Sequence, residues 1–240
     1  VISRSDENAS VTAVHTEGGK LVLISSEVES ALFGEGERKE IKRDITDLVV
    51  PQSLNQITPS TSPPSQEEAG KPAPGTMLVS HNPTHQTEQE NKIEITSLAL
   101  DLFMENLYVG TSLGELFHIN VRDRSNPYLV EKARVSDKAI TALGFLLGDV
   151  SLVIGDAGGG VNVWMQVRDE MRSSGWALNK VHTLTSHHAK VIAVTSSMRD
   201  KGFVTLATDG TIHLNHATSE QTLLNFKTQS IPTALVFSPK

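Results

Sequence analysis

The residues best suited to chemistry in this chain are its clustered histidines and its turn aspartates. His182, His187 and His188 lie close together, and His213 and His216 follow. Neutral imidazoles can ligate zinc or carry a proton. A zinc site also needs a defined spacing, such as HExxH on a helix. No such pattern occurs, no acid sits at ligand spacing, and the chain has no cysteine to supply a thiolate. No metal site is therefore expected. His187 or His188, just ahead of Val191, suits the ordering of a loop before a strand.

Asp156 and Asp209 each occupy a tight turn between two apolar runs. Acid–base catalysis would need a second carboxylate nearby, and the two aspartates belong to different repeat units. An aspartate in a turn more often holds backbone N–H groups. Gly158-Gly159-Gly160 could form a nest of amides for an anion. It lacks the following helix and the Lys-Ser/Thr pair of a phosphate loop. No Gly-x-Ser-x-Gly elbow is present. No catalytic residue and no cofactor are assigned. Trp164 closes a strand inside a repeat and is expected to pack. Trp176 follows the polar stretch 169–175, and is the one candidate for a binding contact.

The elements that would position these residues repeat. Runs of one type start at Ile95, Ile140, Val191 and Pro232, separated by 45, 51 and 41 residues. Each of the first three is followed by an apolar strand, a polar-glycine turn and an alternating strand. Alternation puts Val161 and Val163 on one face and Asn162 and Trp164 on the other. The period matches four-stranded β-propeller blades. Stacking such blades around an axis buries the faces that one blade leaves bare. The expected fold is all-β: a WD40-like β-propeller of four-stranded antiparallel blades, either incomplete here or closed by pairing of Leu235–Phe237 with the N-terminal strands.

Three segments make up the expected organisation. Residues 1–50 hold one or more decayed blades, with strands at 11–14, 21–24 and 30–33. The charge run Glu35–Asp44 reads as a solvated hairpin or helix face. Residues 51–92 hold seven of the ten prolines amid Ser, Thr, Gln and Glu. That composition predicts a mobile insertion, with one possible strand at 76–80. Residues 93–240 carry the repeats: with the N-terminal strands they make about four blades, plus the first strand of another at Leu235–Phe237.

Composition narrows the function classes. Net charge is −7; residues 1–92 hold 14 acids and 8 bases, against 14 and 13 in 93–240. No basic stripe tracks a phosphate backbone, so nucleic acid is not an expected partner. No apolar run is long enough to span a bilayer. The chain opens on Val1 and stops after a strand-like run, which reads as a segment of a longer protein.

The run Val153–Asp156 through Trp164, then Val181–Leu184, Ser186-His187-His188 and Phe203–Thr211, resembles large γ-proteobacterial phosphate ABC-transporter permeases of the Pst type. The resemblance implies a WD40-like insert facing the periplasm, part of an inner-membrane protein. It implies as partners the phosphate-binding protein, another envelope protein, or the remaining permease subunits. It assigns no transport residue. Two other readings stay open: a free-standing cytosolic scaffold propeller, and a propeller hydrolase or lyase whose site draws on several blades.

Overall fold

The computed structural model describes residues 1–28, 38–50, 92–172, 175–232 and 235–237. Among them are sixteen β-strands in four antiparallel sheets, and one 3-10 turn at Thr46–Leu48. The first sheet holds β1 (Ile2–Ser5), β2 (Ala9–His15), β3 (Leu21–Val28) and β4 (Arg38–Asp44). The second holds β5 (Ile95–Leu100), β6 (Asn106–Thr111), β7 (Glu115–Asn120) and β8 (Tyr128–Arg134). The third holds β9 (Ile140–Phe145), β10 (Ser151–Asp156), β11 (Val161–Arg168) and β12 (Trp176–Thr183). The fourth holds β13 (Val191–Ser196), β14 (Gly202–Ala207), β15 (Thr211–His216) and β16 (Gln221–Lys227). Each sheet runs through its strands in chain order, as a meander. Among the described residues, no helix is long and apolar enough to cross a membrane.

The first strands are innermost. β1 lies against β5, β5 against β9, and β9 against β13. They enclose a cavity of about 390 Å³ walled by Ile95–Leu98, Thr141–Leu143 and Ile192–Val194. The fourth strands are outermost, and β4 and β16 expose nearly every side chain. Period-two alternation gives the sheets apolar faces, and three clusters cover the facing surfaces of successive sheets. Val11, Leu21 and Leu23 pack on Leu107, Val109 and Phe117. Tyr108 and Leu116 meet Leu152 and Ile154. Val153, Val161 and Val163 meet Val191 and Phe203. β10 is therefore buried along its whole length. Phe203 is fully enclosed, and its truncation to alanine would cost ~3–5 kcal/mol.

The turn between second and third strands is one device used four times. Gly19, Gly114, Gly159 and Gly210 all have positive φ, and each donates its N–H three residues back, to Thr16, Thr111, Asp156 and Ala207. At Gly159 a side chain is excluded twice over. A Cβ there would lie 2.2 Å from the His187 carbonyl oxygen, and φ +88° disfavours any other residue. The Gly159 carbonyl in turn accepts the His187 N–H at 2.9 Å, and Gly114 serves Val135 and Gly210 serves Thr228 in the same way. These three turns thus tie down the connectors leading out of their sheets.

Several expectations change. Leu235–Phe237 forms no strand, so the first strand of a further blade is not among the described residues. Pro232 has no N–H to give a ladder, and residues 235–237 enter none of the strand pairings. The second half of the charge run is β4, paired to β3 from Val22↔Asp44 to Val28↔Arg38, and it is solvated as a strand. Trp176 opens β12, paired with Arg168, and does not sit in a loop. The strands expected at 30–33 and 76–80, and the insertion apart from Lys92, lie outside the described residues. Val161 and Val163 share a buried face, and Trp164 packs toward the opposite interface.

Candidate functional site

The histidines singled out by their spacing are dispersed to separate partners. Among the described residues no group of three His, Cys, Asp or Glu could hold a metal ion. His182 turns to Glu220, 2.7 Å away, His216 to Ser219, and His188 is exposed. His187 and His213 do come together, as a buried stack 3.8 Å between ring centroids. His187 Nε2 bonds Thr205 Oγ1 at 2.8 Å. Burial and the neighbouring His213 push the His187 imidazole down to about 4; burial lowers His213 as well. Both are neutral rings joining the connector before β13 to the sheet behind it. This is the ordering role expected of His187.

The aspartates are saturated by their own turns. Asp156 accepts the N–H groups of Gly158 and Gly160, both at 2.9 Å, and the Ser136 hydroxyl at 2.8 Å. Ser136 lies on the connector leading out of the second sheet, so this carboxylate also ties that connector to the third sheet. Asp209 accepts the Thr211 N–H and hydroxyl, which hold its carboxyl below the usual range, with Lys227 3.7 Å away. Asp156 serves its turn and the Ser136 connector, Asp209 its turn and Lys227 of β16, and the two lie on different blades.

A second set of residues, not visible from spacing alone, lies between the second and third blades. His118 stacks on Tyr108, with 4.5 Å between centroids and 3° between planes. Its Nε2–H donates to Asn106 Oδ1 at 2.8 Å, and the Gln166 side-chain amide donates to its Nδ1 at 2.9 Å. The neutral ring fits both bonds, and burial pushes its pKa down to about 4. Asn106 also bonds Asp101 through its side chain. This polar chain backs a cavity of about 250 Å³ into which Trp164 and Trp176 face.

The connectors from first to second strand carry exposed apolar residues where turns usually carry polar ones. Leu102 and Phe103 stand out from the second blade, Leu147 and Val150 from the third, and Met198 from the fourth. Phe103 is 71% exposed and Met198 68%. The three connectors are tied across blades. The Leu102 N–H donates to Asp149 Oδ2, and Lys201 Nζ donates to the Leu147 carbonyl. Leu102, Leu147 and Met198 share the mouth of one cavity of about 370 Å³. Exposed apolar side chains grouped around one opening are what interaction surfaces present.

No protein-family model matches the sequence. No curated protein matches it. Among solved structures, the chain is similar to the β-propeller domain of Myceliophteria thermophila Cps50 (Swd1), with TM-score 0.57 and 11% identity. That alignment covers 94% of this chain and 59% of the other. It is also similar to a chain of the mitotic checkpoint complex, with TM-score 0.50 and 11% identity, over 93% of this chain and 48% of that one. The chain thus spans less than two thirds of either. Together with the four meander sheets, these likenesses show the fold: a WD40-like β-propeller architecture of four-stranded antiparallel blades.

Proposed function

We propose that this chain is a non-catalytic propeller that works by protein–protein contact, with its rim of exposed apolar side chains as the docking surface. The observation that carries the reading is the tethering of Leu102, Leu147 and Met198 around one cavity mouth, on connectors bonded to each other across three blades. Exposed apolar area that is already ordered binds without a further entropy cost for its backbone. The residues with chemical potential support the same reading, because His187, Asp156 and Asp209 spend their hydrogen bonds on local structure.

The finer form of the reading places the propeller on the periplasmic side of a Pst-type phosphate permease. Its support is the resemblance carried by Val153–Trp164, Val181–Leu184 and Phe203–Thr211. The partner would then be the phosphate-binding protein, another envelope protein or the permease itself, and the propeller would dock or regulate. Calorimetric titration with the cognate phosphate-binding protein, with and without phosphate, tests it. Saturable heat that a Leu102→Ser/Phe103→Ser variant abolishes supports docking through the rim. Binding only to the phosphate-loaded form would make the propeller a sensor of loaded receptor. Absence of heat in both conditions overturns this partner.

A further inference from the structure

The cavity between the second and third blades is built from aromatic walls and two carboxylates that have no salt-bridge partner among the described residues. Tyr108 on β6, Phe145 at the end of β9, and Trp164 and Trp176 on β11 and β12 form the walls. Phe145 meets Tyr108 edge-on, 5.5 Å between centroids, and the His118 stack fixes the Tyr108 plane. Tyr108 is only 6% exposed, yet its hydroxyl has no hydrogen-bond partner among the described residues while lining the cavity. The Trp164 indole N–H is likewise buried and unpaired.

Two carboxylates line the same space. Asp101, 5% exposed, accepts N–H groups from Glu105 and Asn106. Asp149 accepts the Leu102 N–H. Neither forms an ion pair among the described residues, and no lysine, arginine or histidine lines the cavity. Asp101 is offset in part by three donated hydrogen bonds and by the field of Arg124, which lies outside the cavity lining, whereas Asp149 is only partly buried and neither carboxylate has a cation within the cavity itself. The field is felt nearby: burial first, then the charges of Asp101 and Glu131, push the Tyr108 hydroxyl far above its ordinary range.

We propose that this cavity is a recognition pocket for a basic side chain, lysine or arginine, presented by a partner polypeptide. The proposal rests on the docking reading above and supplies the chemistry of the anchor. The volume of about 250 Å³ suits one side chain, below the ~300–1,000 Å³ usual for small-molecule sites. An alkyl stem packs on aromatic faces while its charged head keeps polar company. Aromatic walls attract the cation directly, and Asp101 and Asp149 complete its neutralisation. Asp149 also holds the Leu102 connector, so the pocket opens beside the apolar rim and an anchored segment would continue across it.

Both tryptophans of the chain line this pocket, so tryptophan emission reads its occupancy. The probes are a capped tripeptide with lysine between two leucines, and the same peptide with norleucine or glutamate at the centre. The lysine peptide should change the emission saturably, and bind at least ~10-fold more tightly than the norleucine peptide. Asp149→Asn should reduce lysine-peptide binding to the norleucine level. Asparagine tolerates the φ of 55° at this position and can still accept the Leu102 N–H. Asp101→Asn should act in the same direction. Equal binding of the norleucine or glutamate peptide, an unchanged lysine titration in both variants, or no response up to ~10 mM peptide would overturn the pocket. Partner titration with Asp149→Asn separates the two readings. Unchanged partner binding removes the anchor and leaves the rim intact, whereas loss in the Leu102→Ser/Phe103→Ser variant reports on the rim.

Discussion

The imidazole rings of His187 and His213 stack 3.8 Å apart and 13° from parallel, 26 residues apart in the chain. His187 comes from the connector before β13 and His213 from β15. Each leaves Nδ1 buried without a partner. Two protonated rings cannot share this space.

Stability should therefore fall with pH. His187 and His118 are held at about 4 in the folded chain against 6.5 when unfolded. Between these values the unfolded chain binds protons that the folded chain refuses. The contribution is full above pH 6.5 and is lost as pH falls to about 4. For His118 alone it amounts to roughly 3 kcal/mol. Thermal melts across this window should lose several degrees, and His118→Phe, which keeps the stack on Tyr108, should flatten part of the slope. A Tm independent of pH there would refute the buried neutral rings.

Gly155 should not tolerate a methyl group. A Cβ would lie 2.5 Å from Val191 Cγ1 on the next blade's inner strand. Gly155→Ala should cost ~1–3 kcal/mol of overpacking. Adding Val191→Ala should restore part of that loss in urea denaturation, since it vacates the contested space. Additive losses would place the strain elsewhere.

Asp156→Ala should destabilise by ~1–3 kcal/mol, because it leaves the Gly158 and Gly160 amides and the Ser136 hydroxyl without their acceptor. Asp156→Asn should cost less, as it retains an acceptor oxygen. Chemical denaturation of the two variants compares them directly.

The Leu102→Ser/Phe103→Ser variant should melt within ~0.5 kcal/mol of the parent, since both side chains are largely solvent-exposed. Its binding of a hydrophobic dye should fall. A large loss of stability would mean that the rim is part of the core and not a surface for contact.

Legibility in the sequence tracked burial. β6, β10 and β14 are apolar runs buried on both faces, and they stood out with the turns that follow them. β1 has one apolar residue, Ile2, and β4 is an exposed edge of charge, so neither shows the alternation that marks a half-buried strand. Leu235–Phe237 shows the reverse: the residue types of an inner strand without the ladder. Among the chemical candidates, the loop-ordering place of His187 was readable from its distance to Val191. Its stack with His213 was not, because register across two strands sets it. The interblade pocket was illegible for the same reason. Asp101, Tyr108, Asp149 and Gln166 come from separate strands and connectors of two blades, and among its walls only Trp164, read as packing, and Trp176, read as a contact, stood out in the sequence.

Thr96 on β5 donates its hydroxyl to the Ile140 carbonyl of β9, and Thr141 on β9 donates to the Val191 carbonyl of β13. Donor always precedes acceptor along the chain. Such a joint has a head and a tail, and two copies related by a two-fold axis would set hydroxyl against hydroxyl and carbonyl against carbonyl. Within the chain, successive blades are therefore joined head to tail through these inner strands, with the donor on one side of a blade and the acceptor on the other. At the matching place on β13 the hydroxyl is replaced by Ile192, so that position of β13 has no side-chain hydroxyl with which to repeat the bond.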